Sequence, residues 1–253
     1  MLLEGRNAVV YGGGGSIGGA VARAFAREGA TVFLAGRTLA TLEAVAADIR
    51  AAGGSAETAQ VDALDEAAVD AHADTVAVQA GSLDISLNVI QHGDVQGTPM
   101  VQMQVADYLR PVATAVTTTF LTARAAVRHM VRQGSGVILM FGGSGDPMRG
   151  YHLGGLQTAF EALESMRRQL ASELGASGVR VLTLRTGGVP ESISPDVDGR
   201  DAIAAEIEKQ TMLGRAATLA DVGNAAAFAA SDRARSMTAA TMNISCGALI
   251  DHC

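Results

Sequence analysis

The chain has 253 residues, of which 48% are apolar and 18% charged, and this composition suits one globular domain rather than a repeat array or a tail. Lys and Arg total 19 against 26 Asp and Glu, a formal charge of -7 without a basic block, which argues against a nucleic-acid partner. No apolar run reaches the roughly 18 residues of a membrane span, and the first residues lack a basic export signal. We therefore expect a cytoplasmic protein with no membrane partner.

Cysteine is rare in the chain, and lysine is rarer still. The two cysteines, Cys246 and Cys253, are too few for a disulfide framework or a metal-ligand cluster, so we expect no metal site and a reducing compartment. Lys209 is the single lysine. The three tyrosines are Tyr11, Tyr108 and Tyr151.

Short strand patterns alternate with long alanine-rich helical patterns along the whole chain. Strands are predicted at 7–11, 31–35, 56–61, 83–90, 137–141, 179–184 and 241–244. Helices are predicted at 17–28, 38–52, 66–79, 111–132, 154–174 and 219–230, with helix N-caps at Asp65 and Thr218, a first-turn proline at Pro111, and an irregular segment at 187–213. This alternation predicts a single doubly wound, Rossmann-like α/β domain over 1–253, with a mainly parallel seven-stranded sheet and helices on both faces.

A glycine-rich turn follows the first predicted strand and contains a G-x-G-x-x-G pattern at Gly13, Gly15 and Gly18. Glycines at such a turn let backbone N–H groups approach a pyrophosphate. The alternative is a turn that needs glycine only for packing. Its place between the first strand and the first helix favours nucleotide binding.

The second predicted strand ends at Arg37 instead of at the carboxylate that would bind a ribose 2′-hydroxyl. An arginine at this point suits a 2′-phosphate through charge-assisted hydrogen bonds, which favours NADP(H) over NAD(H). An unliganded surface arginine is the alternative interpretation.

Over essentially its whole length, the sequence resembles the short-chain dehydrogenase/reductase family, and within it the members similar to 3-oxoacyl-acyl carrier protein reductases. The resemblance is carried by Gly12-x-x-x-Ser16-Ile17-Gly18, by Val61-Asp62, and by Leu213-Gly214-Arg215 with Asp221-Val222. It implies cofactor contacts at Gly12, Gly14, Gly15, Ser16, Ile17, Gly18, Arg37, Asp62, Ala63, Asn88 and Gly187. It also implies a substrate lid at 187–213 and a homodimer or homotetramer built through the two long helices. The sequence departs from the family pattern at Tyr11, at Ser16, and at Val89-Ile90-Gln91, where small residues are usual.

The resemblance also fixes where the family's catalytic residues would lie. The tyrosine position falls on Leu156, the lysine position on Phe160, the serine position on Gly143 and the asparagine position on Ala115. All four residues are apolar or glycine. A Tyr-x-x-x-Lys pair can exist nowhere in the chain, because Ala205 lies four residues before Lys209.

Polar residues remain near the carboxyl ends of the predicted strands, where open α/β sheets bind ligands. They are His92, Asp94, Ser144, Asp146, Tyr151 and His152. Tyr151, His152 and His92 are candidate replacement acids, since a phenol or an imidazole can supply a proton. For each one, a surface or packing role is the alternative.

Two further groups have both a functional and an ordinary interpretation. The arginines at 124, 128 and 132 and the glutamates at 161 and 164 could pair across a subunit interface, or could form a solvated charged face. The methionines at 100, 103, 140 and 148 could line an adaptable pocket or fill the core.

Three hypotheses follow for the function. The first is an atypical NADP(H)-dependent oxidoreductase that acts on a small carbonyl or enone substrate without the usual Tyr/Lys relay. The second is a catalytically silent dinucleotide-binding paralogue that serves as a structural subunit, sensor or scaffold, and that could assemble with an active relative. The third is a redox-neutral lyase or isomerase that uses His92 and Tyr151 as acid and base.

Overall fold

A computed structural model describes residues 1–143, 145–146 and 150–250, and its centre is one seven-stranded sheet. The strands are β1 (Asn7–Tyr11), β2 (Thr31–Gly36), β3 (Ser55–Gln60), β4 (Ile85–Asn88), β5 (Gly136–Gly142), β6 (Val179–Arg185) and β7 (Ala240–Asn243). Their order is β3-β2-β1-β4-β5-β6-β7, and every neighbouring pair is parallel. The predicted fold class is confirmed.

Seven helices connect the strands in the described part of the chain. They are α1 (Ser16–Arg27), α2 (Leu39–Ala51), α3 (Glu66–Ala80), α4 (Val105–Gln133), α5 (Gly155–Leu174), α6 (Arg200–Lys209) and α7 (Leu219–Ala230). One buried cluster packs α1, α2 and α7 on one sheet face, and a second packs α3, α4 and α5 on the other. Among the described residues, no helix combines the length and apolarity needed to cross a bilayer.

Local sequence explains several helix ends. The Asp65 carboxylate accepts from the Ala68 backbone N–H at 3.1 Å, which caps α3, and Gly81 ends that helix in the left-handed region. Thr218 and Asp221 form the reciprocal capping box predicted for the start of α7. These N-caps are confirmed.

The prediction that Pro111 opens a helix is wrong, because α4 begins six residues earlier, at Val105. Three interactions hold the extra turn. The Tyr108 hydroxyl lies 2.8 Å from the Thr158 hydroxyl on α5, Arg110 pairs with Asp107 at 2.7 Å, and Gly155 lies directly against the Tyr108 carbonyl. Packing against α5 therefore overrides the proline signal.

Two other expectations need correction. The segment 187–213 is not irregular throughout, because it contains α6, which begins after Gly199. Strand β4 covers only 85–88 rather than 83–90. After its carboxyl end, the Asn88 side chain accepts from the Ile90 N–H at 3.0 Å.

Candidate functional site at the carboxyl ends of the strands

The glycine turn between β1 and α1 is built from close backbone contacts. Gly12 has a φ of +84°, and a Cβ there would lie 2.8 Å from the Val89 carbonyl oxygen. A Cβ on Gly18 would lie 2.2 Å from the Gly12 carbonyl oxygen. The turn thus needs glycine at these two positions for its own packing.

The middle of the same turn leaves the amino end of α1 open. Gly15 is the N-cap and supplies no side chain, and Ser16 beside it is exposed. No acidic residue occupies the first turn, so free N–H groups and the positive end of the helix dipole face outward there. Ile17 is half-buried, and a Cβ on Gly14 would overlap the Thr41 hydroxyl.

The residues that the sequence assigns to the adenosine end of the dinucleotide also lie just after strands. They are Arg37, Asp62 and Ala63. Arg37 comes directly after β2 and is exposed, and its side chain forms no ion pair among the described residues. Asp62 is exposed and accepts from the Leu64 N–H at 3.0 Å, whereas Ala63 is buried. A free guanidinium at this place is available to an anion.

Asn88 and Gly187 have structural partners of their own. The buried Asn88 amide donates to the Thr122 hydroxyl on α4 at 3.2 Å, so it ties β4 to α4. Gly187 follows β6, where a Cβ would lie 2.8 Å from the Ala248 Cβ. Both lie at the same edge of the sheet as the glycine turn.

Tyr11 replaces the family's threonine and extends into the core below the turn. Its hydroxyl lies 3.5 Å from Nδ1 of the buried His72, and the two rings meet edge to face. Burial raises the pKa of Tyr11, with a further contribution from the Asp70 charge, and burial lowers the pKa of His72 to about 4. Sequence reasoning did not identify this pair, because the two residues are 61 positions apart.

The positions assigned to the family's serine and lysine are in direct contact. Gly143 follows β5, and a Cβ added to it would lie 2.6 Å from Cε2 of Phe160. The Phe160 ring therefore occupies the space that a side chain at 143 would need. Leu156, one turn earlier on α5, is buried.

The position assigned to the asparagine is apolar as well. Ala115 on α4 is fully buried and packs with Ala159 and Leu163 of α5. The buried face of α5 at Leu156, Ala159 and Leu163 is therefore part of the core, and Phe160 beside it is half-buried.

His92 is the candidate acid that contacts these positions. Its ring meets the Phe160 ring at a centroid distance of 6.1 Å and an angle of 65°. Burial lowers the pKa of His92, and the nearby Asp94 charge opposes that shift. Burial thus favours the neutral form of the imidazole, which lies beside the phenylalanine ring.

Tyr151 and His152 lie in the loop before α5. The Tyr151 hydroxyl accepts from Nε2 of Gln210, just after α6, at 2.8 Å. His152 is exposed and has a φ of +49°. Ser144 lies outside the described residues, and Asp146 is exposed. The sequence did not point to Gln210 as a site residue, because it lies 59 positions from Tyr151 and no local pattern links the two.

Charged side chains on α4 and α5 form ion pairs with other residues of the same chain. Arg124 pairs with Glu66 and Asp70 of α3, and Arg128 also pairs with Asp70. Arg132 donates to the His129 ring, whose other nitrogen lies 2.8 Å from Asp74. Glu164 pairs with the buried Arg167 and accepts from Thr241. These arginines and Glu164 therefore have partners within the chain, while Glu161 is exposed.

The methionines among the described residues have different surroundings. Met140 is buried in β5, Met103 contacts Gly154, and Met100 is exposed, while Met148 lies outside the described residues. An open cavity of about 680 Å³ lies along the free edge of β7, where none of the candidate site residues lines it. Among the described residues, no three His, Cys, Asp or Glu side chains are grouped as metal ligands.

Comparison with known proteins identifies the class that this fold and glycine turn define. Residues 13–248 match a family model described as enoyl-(acyl carrier protein) reductase. The chain belongs to the short-chain dehydrogenase/reductase family, an oxidoreductase family whose members bind nicotinamide dinucleotides.

Individual relatives cover nearly the whole chain. An uncharacterized oxidoreductase of Mycobacterium tuberculosis is 32% identical over 97% of this chain and 92% of its own. The D-threitol dehydrogenase of Mycolicibacterium smegmatis is 30% identical over 97% of this chain and 93% of its own. A dehydrogenase/reductase structure from Mycobacterium ulcerans superposes with a TM-score of 0.89 at 26% identity, covering 98% of this chain and 91% of that one.

Proposed function

We propose that this protein binds NADP(H) at the carboxyl ends of β1 to β4 and serves as a catalytically silent dinucleotide-binding member of its family. Its cleft lacks the tyrosine and lysine that interconvert alcohols and carbonyls in active members. In this proposal Leu156, Phe160, Gly143 and Ala115 stand at the four catalytic positions. Of the hypotheses drawn from the sequence, we therefore prefer the catalytically silent paralogue to the atypical oxidoreductase.

The observation that carries the proposal is the contact between Phe160 and Gly143. A ring within 2.6 Å of a Cβ at 143 excludes a serine hydroxyl there, and a hydrocarbon at 160 cannot lower the pKa of a neighbouring phenol. The Ala115 side chain also packs in an apolar cluster. Neither Phe160 beside Gly143 nor the apolar cluster around Ala115 offers a group that exchanges a proton, which is the arrangement expected of a catalytically silent member.

The residues of the glycine turn fit a dinucleotide. Gly15 and the exposed Ser16 leave the amino end of α1 open to a pyrophosphate. Arg37, which forms no ion pair in the described part of the chain, offers a guanidinium to a 2′-phosphate. When bound, the nicotinamide supplies or accepts a hydride. The glycine turn and Arg37 would hold the phosphates and the adenosine end. The residue at position 156 is a leucine, which cannot exchange a proton with a substrate.

Calorimetric titration of NADPH, NADP, NADH and NAD against the purified protein tests the proposal. Arg37→Ala is expected to weaken NADPH binding by about 10- to 100-fold, because a charge-assisted contact is lost, and to leave NADH binding almost unchanged. Replacement of the exposed Arg235, which precedes β7, by alanine is the matched control. Absence of saturable binding by all four dinucleotides would contradict the proposal.

The contact of His92 with Phe160 favours a second candidate, the NADP(H)-dependent oxidoreductase without the usual relay. Among the candidate acids, His92 alone touches a relay position in the described part of the chain. In that case His92 donates a proton to a small carbonyl or enone substrate. NADPH oxidation that saturates with such a substrate and disappears in His92→Asn would favour this candidate. No described contact joins His92 to Tyr151, so no observation favours the lyase or isomerase.

A further inference from the structure

Helix α6 is weakly attached to the rest of the domain. None of its residues is buried, although Ala204 and Ile207 are half-buried, and Ile207 packs against the backbone of Gly188. The helix lies between Gly199 and Gly214, which have φ values of +73° and +67°. Such conformations favour glycine and let the backbone direction change at both ends of the segment.

A side-chain hydrogen bond joins this segment to the loop before α5. Gln210 Nε2 donates to the Tyr151 hydroxyl at 2.8 Å, and a 3.3 Å contact with Glu206 fixes the same amide. The Tyr151 carbonyl in turn accepts from the Gly97 N–H at 3.3 Å. Tyr151 therefore connects three segments that follow β4, β5 and β6.

We propose that the Tyr151–Gln210 hydrogen bond is a latch that holds α6 closed over the carboxyl ends of the strands. Tyr151 is a positioning residue in this view and not the replacement acid. The evidence for the latch is a set of contacts within the chain, and it does not depend on dinucleotide binding. Its consequence, slower release of a bound dinucleotide, rests on the proposed function.

Hydrogen–deuterium exchange of the α6 amides tests the latch without any ligand. A hydrogen bond of ordinary net strength changes an opening equilibrium about fivefold, so Tyr151→Phe and Gln210→Ala should each raise exchange in α6 by about that factor. The double variant should exchange no faster than either single variant, because both remove the same bond. Additive effects, or unchanged exchange in the single variants, would overturn the proposal.

Tyr108→Phe is the matched control. It removes a hydroxyl that lies 2.8 Å from Thr158, between α4 and α5, and should leave α6 exchange unchanged. Thermal melting of each variant confirms that the fold is retained. The NADPH dissociation rate, measured by stopped-flow fluorescence, should rise about fivefold in Tyr151→Phe and stay constant in Tyr108→Phe. If NADPH binds to none of the proteins, the proposed function fails while the exchange data still decide the latch.

Discussion

The two ends of the cleft differ in what fills them. At the glycine turn, Gly12 and Gly18 bring backbone atoms together and leave the amino end of α1 exposed. At the other end, Phe160 fills the space beside Gly143, and Ala115 lies in an apolar cluster. The two ends are stabilised by separate contacts, backbone packing at the glycine turn and side-chain packing beside Gly143 and Ala115, so each can be perturbed on its own.

Gly18→Val should lower the free energy of unfolding the most, because it disrupts the backbone packing of the glycine turn. Its Cβ would lie 2.2 Å from the Gly12 carbonyl oxygen, so α1 would have to move away from β1. We expect a loss of about 4 kcal/mol in the free energy of unfolding. Urea denaturation measures it. Gly15→Val is the control, because a Cβ there meets its nearest atom at 3.5 Å, and a loss of only about 1 kcal/mol is expected. Equal losses would contradict the close-approach explanation.

His72 beneath the turn should make stability depend on pH. Its pKa falls from 6.5 to about 4 because burial disfavours the charged ring. The unfolded chain therefore binds the proton first, and about 3 kcal/mol of stability is lost as the pH falls from 6.5 to 4. His72→Phe should flatten this part of the profile, measured by denaturation at several pH values. The exposed His152→Gln should keep the wild-type slope, and a similar flattening in that variant would refute the assignment.

Gly143→Ala tests the filled end of the cleft. The new methyl group would meet the Phe160 ring at 2.6 Å, so we expect a loss of about 1–2 kcal/mol. In a Phe160→Ala background the same change should cost almost nothing, which gives a coupling energy of about 1–2 kcal/mol. Gly142→Ala is the neighbouring control, with its nearest ring atom at 3.5 Å. A zero coupling energy would show that Phe160 does not occupy this space.

Most of the fold was predictable because its signals are local. Asp65 and the Thr218 capping box mark helix starts, and alternating strand and helix patterns define the parallel sheet. Pro111 misled the prediction because contacts with α5 stabilise the turn before it. Helix α6 was missed because prolines and glycines around it suggest an irregular chain, and it buries no side chain that would produce a clear apolar stripe.

The site was predictable only in part. The glycine turn and Arg37 are adjacent in sequence to strand ends, so their placement follows from topology. The contact of His92 with Phe160 and the bond of Tyr151 to Gln210 join residues that are far apart along the chain. Such pairings depend on side-chain packing, which no spacing in the sequence encodes.

The most direct test of the account combines binding and turnover in one preparation. NADPH is first titrated to saturation by its fluorescence, and small aldehydes, ketones and enones are then added while the nicotinamide absorbance is followed. A catalytically silent protein should bind NADPH saturably and show no oxidation above the rate in buffer. Oxidation that saturates with substrate, and that is lost in His92→Asn, would show that the cleft is catalytic and would contradict the proposed function.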